Sequence, residues 1–377
     1  MKKLLSMILA LALLPLSGCS RTGSVYANFR AVEDLQLVQT FGFDWHDGEI
    51  TITVSSGEEM DKLPSSLLSA SAPDIPQAIE QLQDWSARED LFFAHIRYVL
   101  VGEEAARHGL ETLLDWFERG IQTRLDLPIF VVEDGTAKEL ISGSADKLYE
   151  ITAVLLSLER DVERRGKSYP FTLRDLASRM SRSGAGLCTS VCMAETGENV
   201  PSAPDGVTAL ETGFAVFRDW KLTAFSGREA AEGICLLLNK AGSGNILLPG
   251  ESGFVTLEMG SAKTDFRPCR DAGGSLSLAA EIDCSASVVS SDPGNISHEE
   301  LLPMLEDEFC AWLENRTEAA LALWRESGAD FLELWRYTDP AKPVPETMTI
   351  VPKIRGRVER SYDLLFAENA PEDESHG

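Results

Sequence analysis

Between residues 35 and 54 apolar and polar side chains alternate. Leu35, Leu37, Gln39, Phe41 and Phe43 stand two apart, with Gln36, Val38, Thr40 and Gly42 between them, and Ile50, Ile52 and Val54 repeat the pattern against Thr51 and Thr53. A period of two puts one set on one face of a strand, and Asp47-Gly48 has the residue types of a tight turn, so the pattern predicts a β-hairpin. Residues 55–73, rich in Ser and Pro, read as a loop. The spacing then becomes helical: Asp74 can cap a helix whose apolar positions are Ile75, Ala78, Ile79, Leu82 and Trp85. The run LFFAHIRYVLV over 91–101 is apolar enough for one central strand. Gly102-Glu103-Glu104 opens a helix with acids in its first turn, where the helix dipole favours them. Its apolar face continues past Gly109 with Leu113, Leu114, Trp116 and Phe117. A strand over 128–132, a short helix over 137–141 and helices over 146–163 and 171–181 follow.

Residues 183–207 are rich in Gly, Ser, Pro and Asn and hold one candidate strand, 187–193, so a domain boundary is placed there. Beyond it, 214–217 and 222–225 flank Asp219-Trp220 as a second hairpin, 227–238 reads as a helix, and 253–259 and 275–290 read as strands. The longest helical stretch covers about 298–336. Leu301, Leu305, Phe309, Trp312, Ala320 and Leu323 form its apolar stripe, and Gly328 breaks or kinks it. A strand over 348–358 closes the fold. The expected class is α+β (mixed α/β): two main units, 31–200 and 201–362, each of mixed sheet packed with helices, with room for a further division near 250–290. The tail 363–377, which ends in ENAPEDESHG, reads as acidic and disordered.

The first residues change the picture most. Lys2 and Lys3 precede thirteen mostly apolar residues, Leu4 to Leu16. A membrane span needs roughly 20 apolar residues, so this run reads as a secretory leader, 1–18, and no transmembrane helix is expected after it. Leu16-Ser17-Gly18-Cys19 has the form of a lipobox, in which small residues precede a cysteine that takes a thioether-linked diacylglyceryl group. Cys19 is therefore the candidate lipidation site, and 19–30 the tether. An ordinary leader with a chance cysteine, or an uncleaved anchor, is the disfavoured reading.

The chain has 34 Lys+Arg against 60 Asp+Glu, a formal net charge of −26. That argues against nucleic acid, whose phosphates require Lys and Arg, and against lying flat on anionic lipid. Seven cysteines, six besides Cys19, are too few for a disulfide scaffold in a chain of 377 residues. Cys188 and Cys192 stand close enough for a disulfide or metal pair, but no His is near, and buried or free thiols are favoured. Five scattered histidines include no H-E-x-x-H, and there is no nucleophile elbow, P-loop or dinucleotide fingerprint. His95, within an apolar stretch, is favoured as structural over catalytic. From the residues alone no catalytic, cofactor or metal site is expected.

Several segments, in order, resemble the Ger(x)C family, the lipoprotein subunits of spore germination receptors. The family's R-E-I-x-E-L-x-x-V-x-x-x-G-I-D corresponds to Arg30-Ala31-Val32-Glu33-Asp34-Leu35, Val38 and Gly42-Phe43-Asp44. L-F-F-G-H corresponds to Leu91-Phe92-Phe93-Ala94-His95, and G-E-E-x-A to Gly102-Glu103-Glu104-Ala105-Ala106. G-x-A-V-F-K-x-x-K-L-x-G corresponds to the run from Gly213 to Ala224, with Glu229 and Gly233 beyond it, and a late D-x-F/L to Asp330-Phe331. The aromatic residue after the lipidated cysteine is missing, Ala94 and Ala224 replace Gly, and the connection from the long helix to the last strand is short. The resemblance implies a non-catalytic subunit held by acylated Cys19 on the outer face of the inner spore membrane. Its implied partners are membrane lipid and two integral-membrane receptor subunits, one permease-like. Gly42, Asp44, His95, Gly102 and Gly213 are read as turn and core positions. The alternative is a solute-binding lipoprotein of a membrane transporter, which would need two similar lobes around a cleft.

Overall fold

The computed structural model describes residues 35–56, 66–86, 90–120, 122–145, 151–165, 168–196, 206–250, 253–270, 276–291, 298–338 and 348–359. Cys19, the leader, the tether and the acidic tail lie outside these. The described chain forms two sheets of consequence, with helices packed against both, in an α+β architecture. Among the described residues no helix is long and apolar enough to cross a membrane.

The strands are β1 (Leu35–Leu37), β2 (Thr40–His46), β3 (Glu49–Ser56), β4 (Ser66–Ala72), β5 (Asp90–Phe92), β6 (Tyr98–Gly102), β7 (Ile129–Glu133), β8 (Ala185–Thr196), β9 (Gly206–Arg218), β10 (Lys221–Phe225), β11 (Asn245–Gly250), β12 (Gly253–Arg270), β13 (Leu276–Ser291) and β14 (Thr349–Glu359). The helices are α1 (Ile75–Trp85), α2 (Glu103–His108), α3 (Glu111–Arg119), α4 (Ala137–Ala145), α5 (Ile151–Arg165), α6 (Leu173–Ser183), α7 (Gly227–Leu237) and α8 (His298–Ser327). Eight strands form one sheet in the order β10-β9-β8-β7-β6-β2-β3-β4, and four form another, β11-β12-β13-β14. In the large sheet β2, β6, β7 and β8 run parallel, and the strands outside them pair antiparallel.

The two hairpins form as their turns predict. Asp47 and Gly48 both take positive φ between β2 and β3, and Asp219 and Trp220 do so between β9 and β10, the backbone shape that matches the right-handed twist of flanking strands. Asp74 caps α1 by accepting the Gln77 N–H at 2.8 Å. Gly328, at φ +60, ends α8.

Three sequence expectations are corrected. The alternating run 35–43 is not one hairpin strand: Leu35–Leu37 pairs parallel with β5 in a separate two-stranded sheet, and the hairpin strand starts at Thr40. The Ser-rich stretch 55–73 is not all loop. Ser66–Ala72 pairs with β3 as an edge strand, with Ala70 and Ala72 buried behind Ile52 and Ile50 and with Ser69 and Ser71 hydrogen-bonded to Thr53 and Thr51. Small Ser and Ala residues carry this alternation, so it is faint in sequence. The run 91–101 is not one strand. A 3-10 turn, Phe93–His95, separates β5 from β6, and its apolar residues serve two elements, Phe93 and Ile96 turning into the core while His95 and Arg97 face solvent. Strand β11, whose last residues Pro249 and Gly250 still pair with β12, has no counterpart in the sequence expectations.

Both faces of the large sheet are covered. On one lie α1, α2, α3 and α6, whose Ile75, Leu82, Leu113, Phe117, Leu176 and Met180 pack on Phe41, Ile52, Val99 and Val131. On the other lie α4 and α5, against Tyr98, Leu100, Phe130 and Val132. Strands β8 and β9 also supply the second unit. Cys188, Ala215 and Phe217 belong to the first core, whereas Leu187, Phe214 and Val216, pointing the other way, belong to the core between α7, α8 and the four-stranded sheet. The two cores are thus two sides of one pair of strands.

Truncating either phenylalanine should cost about 3–5 kcal/mol. Phe214→Ala and Phe217→Ala are each expected to lower the urea midpoint while leaving one transition, coincident by far-UV circular dichroism and tryptophan fluorescence. Separate transitions for the two units would contradict the shared-strand arrangement.

Candidate functional site

The C-terminal ends of β2 and β6 and the loop after β7 meet around one carboxylate. Asp44 is 6% exposed. Its Oδ1 accepts the Ala137 N–H at 2.8 Å and its Oδ2 the Lys138 N–H at 2.9 Å. These are first-turn groups of α4, which have no partner within the helix, and the dipole there favours a negative charge. A capping box adds to them: Thr136 Oγ1 accepts the Glu139 N–H at 3.0 Å, and the Glu139 carboxylate accepts the Thr136 N–H at 3.1 Å. Such a helix start beyond strand ends commonly holds an anion. Here the chain's own Asp44 fills it.

The neighbouring motif residues make room for this contact. A Cβ on Gly102 would lie 2.1 Å from Asp44 Oδ1, and a Cβ on Gly42 would lie 2.7 Å from Ile141 Cδ1. Glu103 completes the junction: its N–H donates to the Gly135 carbonyl at 3.1 Å, and its carboxylate accepts the Asp134 N–H at 2.8 Å. Burial pushes the Asp44 carboxyl up to about 6, against the two N–H bonds, which pull it down.

The second half of the motif set sits where α7 crosses α8. A Cβ on Gly233 would come within 1.9 Å of the Arg316 carbonyl oxygen, so only glycine admits this approach. The Arg316 side chain then spans the crossing, Nε donating to Glu232 at 2.7 Å and Nη1 to Glu229 at 3.0 Å, with the guanidinium over the Trp312 ring. Gly213, at φ +131, lies against Ser226, whose hydroxyl accepts the Phe214 N–H at 2.8 Å and donates to the Gly227 carbonyl. Asp330 accepts the Leu334 and Trp335 N–H groups at 2.9 and 3.0 Å and the Trp324 indole N–H at 3.3 Å; burial raises its carboxyl above the ordinary range. Beside it, Arg179 of α6 donates to the Phe331 carbonyl at 3.0 Å, lies over the Phe171 ring and stands 3.9 Å from Glu333.

The structure brings Gly42, Asp44 and Gly102 together. It places Gly213, Glu229 and Gly233 in the second unit and leaves His95 exposed in its 3-10 turn, beside Phe92. Arg316 and Arg179, which tie these places together, carry no sequence signal, because their partners lie 84 and 152 residues away. Cys188, Cys192, Cys235, Cys269, Cys284 and Cys310 are free thiols, and burial pushes Cys284 up to about 12, which holds it protonated at neutral pH. His46, exposed, is raised by its hydrogen bond to Glu104. Among the described residues no group of three or more His, Cys, Asp or Glu side chains could hold a metal ion.

The fold and these junctions define an α+β protein whose signature residues join its own elements. Comparison with known proteins agrees. The "Spore germination protein N-terminal domain" family matches residues 28–192, and "Spore germination B3/GerAC like, C-terminal" matches 212–343. The chain belongs to the Ger(x)C family of spore germination proteins. A putative spore germination protein of Bacillus subtilis (strain 168), YfkR, is 24% identical over 216 residues, covering 57% of this chain and 54% of that relative's length. The crystal structure of the GerBC protein superposes with a TM-score of 0.55 at 13% identity, over 84% of this chain and 96% of that one, a likeness of fold.

Because the folded Asp44 carboxyl titrates near 6 and an unfolded one near 3.8, the folded state binds the proton more tightly. Its contribution to stability is full below about pH 4 and is lost as pH rises through 6, about 3 kcal/mol for a shift of about two units. Urea denaturation from pH 4 to 7 should show the wild type losing about this much relative to Asp44→Asn; parallel profiles would show that Asp44 does not titrate in this window. Gly233→Ala should cost at least about 1–3 kcal/mol, read as a lowered urea midpoint, since the atom it meets is backbone.

Proposed function

We propose that this protein is a lipid-anchored, non-catalytic subunit of a nutrient germinant receptor. Acylated Cys19 holds it on the outer face of the inner spore membrane, where it completes the receptor beside two integral-membrane subunits, one of them permease-like. The observation that carries this reading is the family match across both units of a chain that opens with a lipobox. Each buried CH₂ contributes about 0.8 kcal/mol, so two or more acyl chains hold such a body stably where one does not. The junctions support a part played by packing: the carboxylates and glycines of the motifs serve contacts within the chain, leaving the outer surface to meet partners. The unequal sheets, one of eight strands and the other of four, favour this reading over a two-lobed solute-binding lipoprotein.

Affinity capture from detergent-solubilised spore membranes tests it. The tagged wild type should bring down a permease-like subunit and a second integral-membrane subunit. Cys19→Ala should leave the membrane fraction and slow germination with nutrients. Capture of the protein alone, or with an ATP-driven importer, would overturn the reading.

A further inference from the structure

Among the described residues the four-stranded sheet is covered on one side only. Leu248, Leu257, Ile282 and Ile350 face α7 and α8 in the second core, and alternate residues of the same strands face outward. Four of the seven exposed large apolar side chains of the described chain stand on that open face: Leu247 and Phe254, each 61% exposed, Val289 and Val351. Three of them share a corner. Leu247 pairs with Thr256, Pro249 with Phe254, and Thr256 in turn with Ser290, next to Val289. A contiguous apolar patch of this kind marks a place where a protein meets a partner.

Charge sets this face apart. In a chain of net charge −26, the four strands carry six Lys or Arg against five Asp or Glu. The sequence directly joining or following them adds Glu251, Asp271 and Asp292 against Arg360. Like copies of the chain repel one another least where they meet through such a surface. All of the strand charges but Arg270 stand on the open face, and most are paired within it. Lys263 meets Asp265 at 2.8 Å and Arg355 meets Asp283 at 3.7 Å, while Arg267 and Lys353 reach Glu281 at 2.9 and 3.6 Å. Among the described residues Glu258, Arg357 and Glu359 take part in none of these pairs. Arg357 and Glu359 lie two apart on β14, on one face and with opposite charge. A second copy turned antiparallel about an axis between them sets each Arg357 against the other copy's Glu359, the self-complementarity that a two-fold contact needs.

The size also suits a second copy. Strands β12 and β13 run about 50 Å, and β11 and β14 flank successive parts of them, so three strand widths of about 4.8 Å present roughly 700 Å². A standard interface takes about 800 Å² from each partner. Contact through the sheet's edge is closed off at β14: Pro352 has no N–H, and the Gly356 and Val358 N–H groups donate to Cys310 Sγ at 3.2 Å and Glu306 Oε1 at 3.1 Å. We propose that two copies of this protein associate face to face through the open side of the four-stranded sheet, about a two-fold axis. Neither the acylation of Cys19 nor a receptor enters this contact.

The test uses two differently tagged full-length copies, co-expressed and solubilised in mild detergent. Capture through one tag with detection of the other reads association, and sedimentation velocity reads the mass. Wild type should co-capture and sediment as a dimer. Phe254→Glu should lower co-capture at least tenfold, whereas Leu210→Glu, at an exposed position of β9, should co-capture as wild type does. Arg357→Glu and Glu359→Arg should each lower co-capture several-fold. The double variant, which exchanges the two charges within one chain, should restore it, as a two-fold contact requires. Unchanged far-UV circular dichroism of each variant separates loss of contact from loss of fold. A wild type that sediments as a monomer, or a double variant no better than the single ones, would overturn the proposal. A monomeric wild type that binds a different protein, lost in Phe254→Glu, would overturn it in favour of that partner.

Discussion

The pairing of β8 with β9 is the interaction on which the rest of the molecule depends. A strand sends alternate side chains to opposite faces, and in these two strands both faces are buried in different cores. Ala215 and Phe217 fill the core under α1, α3 and α6, while Phe214 and Val216 fill the core under α7 and α8. A slip of one residue would exchange the two sets. The register is held by Gly213, whose positive φ and close approach to Ser226 set the turn of the strand, and by the irregularity opposite Ser190 and Val191. Among the described residues, the four-stranded sheet and α8 share one core with Leu187, Phe214 and Val216 of this pair and with α7.

Around that pair the chain uses charge sparingly inside and freely outside. Asp44, Asp330 and Arg179 are buried or nearly so, and each meets backbone groups that would otherwise lack partners: the first turn of α4, the 3-10 turn after Asp330 and the Phe331 carbonyl. A buried charge is tolerated where hydrogen bonds replace its water. These contacts are directional in a way that apolar packing is not, and they fix how helices meet strand ends. Many of the other described acids are exposed, where they discourage contact with anionic surfaces.

Much of the fold was legible in the sequence, because its signals are local. Alternation in 40–54, the Asp47-Gly48 and Asp219-Trp220 turns, the Asp74 cap and the Gly328 stop each depend on neighbours within a few residues, and each forms as its chemistry requires. Where the local signal was weak or shared, it misled. Ser and Ala hid the alternation of β4, and one apolar run served both β5 and β6. The motif residues were likewise visible as glycines and acids in order. Their purpose was not, since Gly102 is needed because of Asp44, and Gly233 because of Arg316, across distances that no window of sequence reveals. What the sequence determined by itself was most of the helices, both hairpins and the lack of familiar catalytic motifs. What tertiary structure alone decided was that β9 crosses back to join the strands before it, that one strand pair serves two cores, and that Leu247 and Phe254 are left exposed on the four-stranded sheet. Those outcomes depend on which surfaces meet in space, and burial, unlike turn or cap chemistry, is a property of the assembled chain.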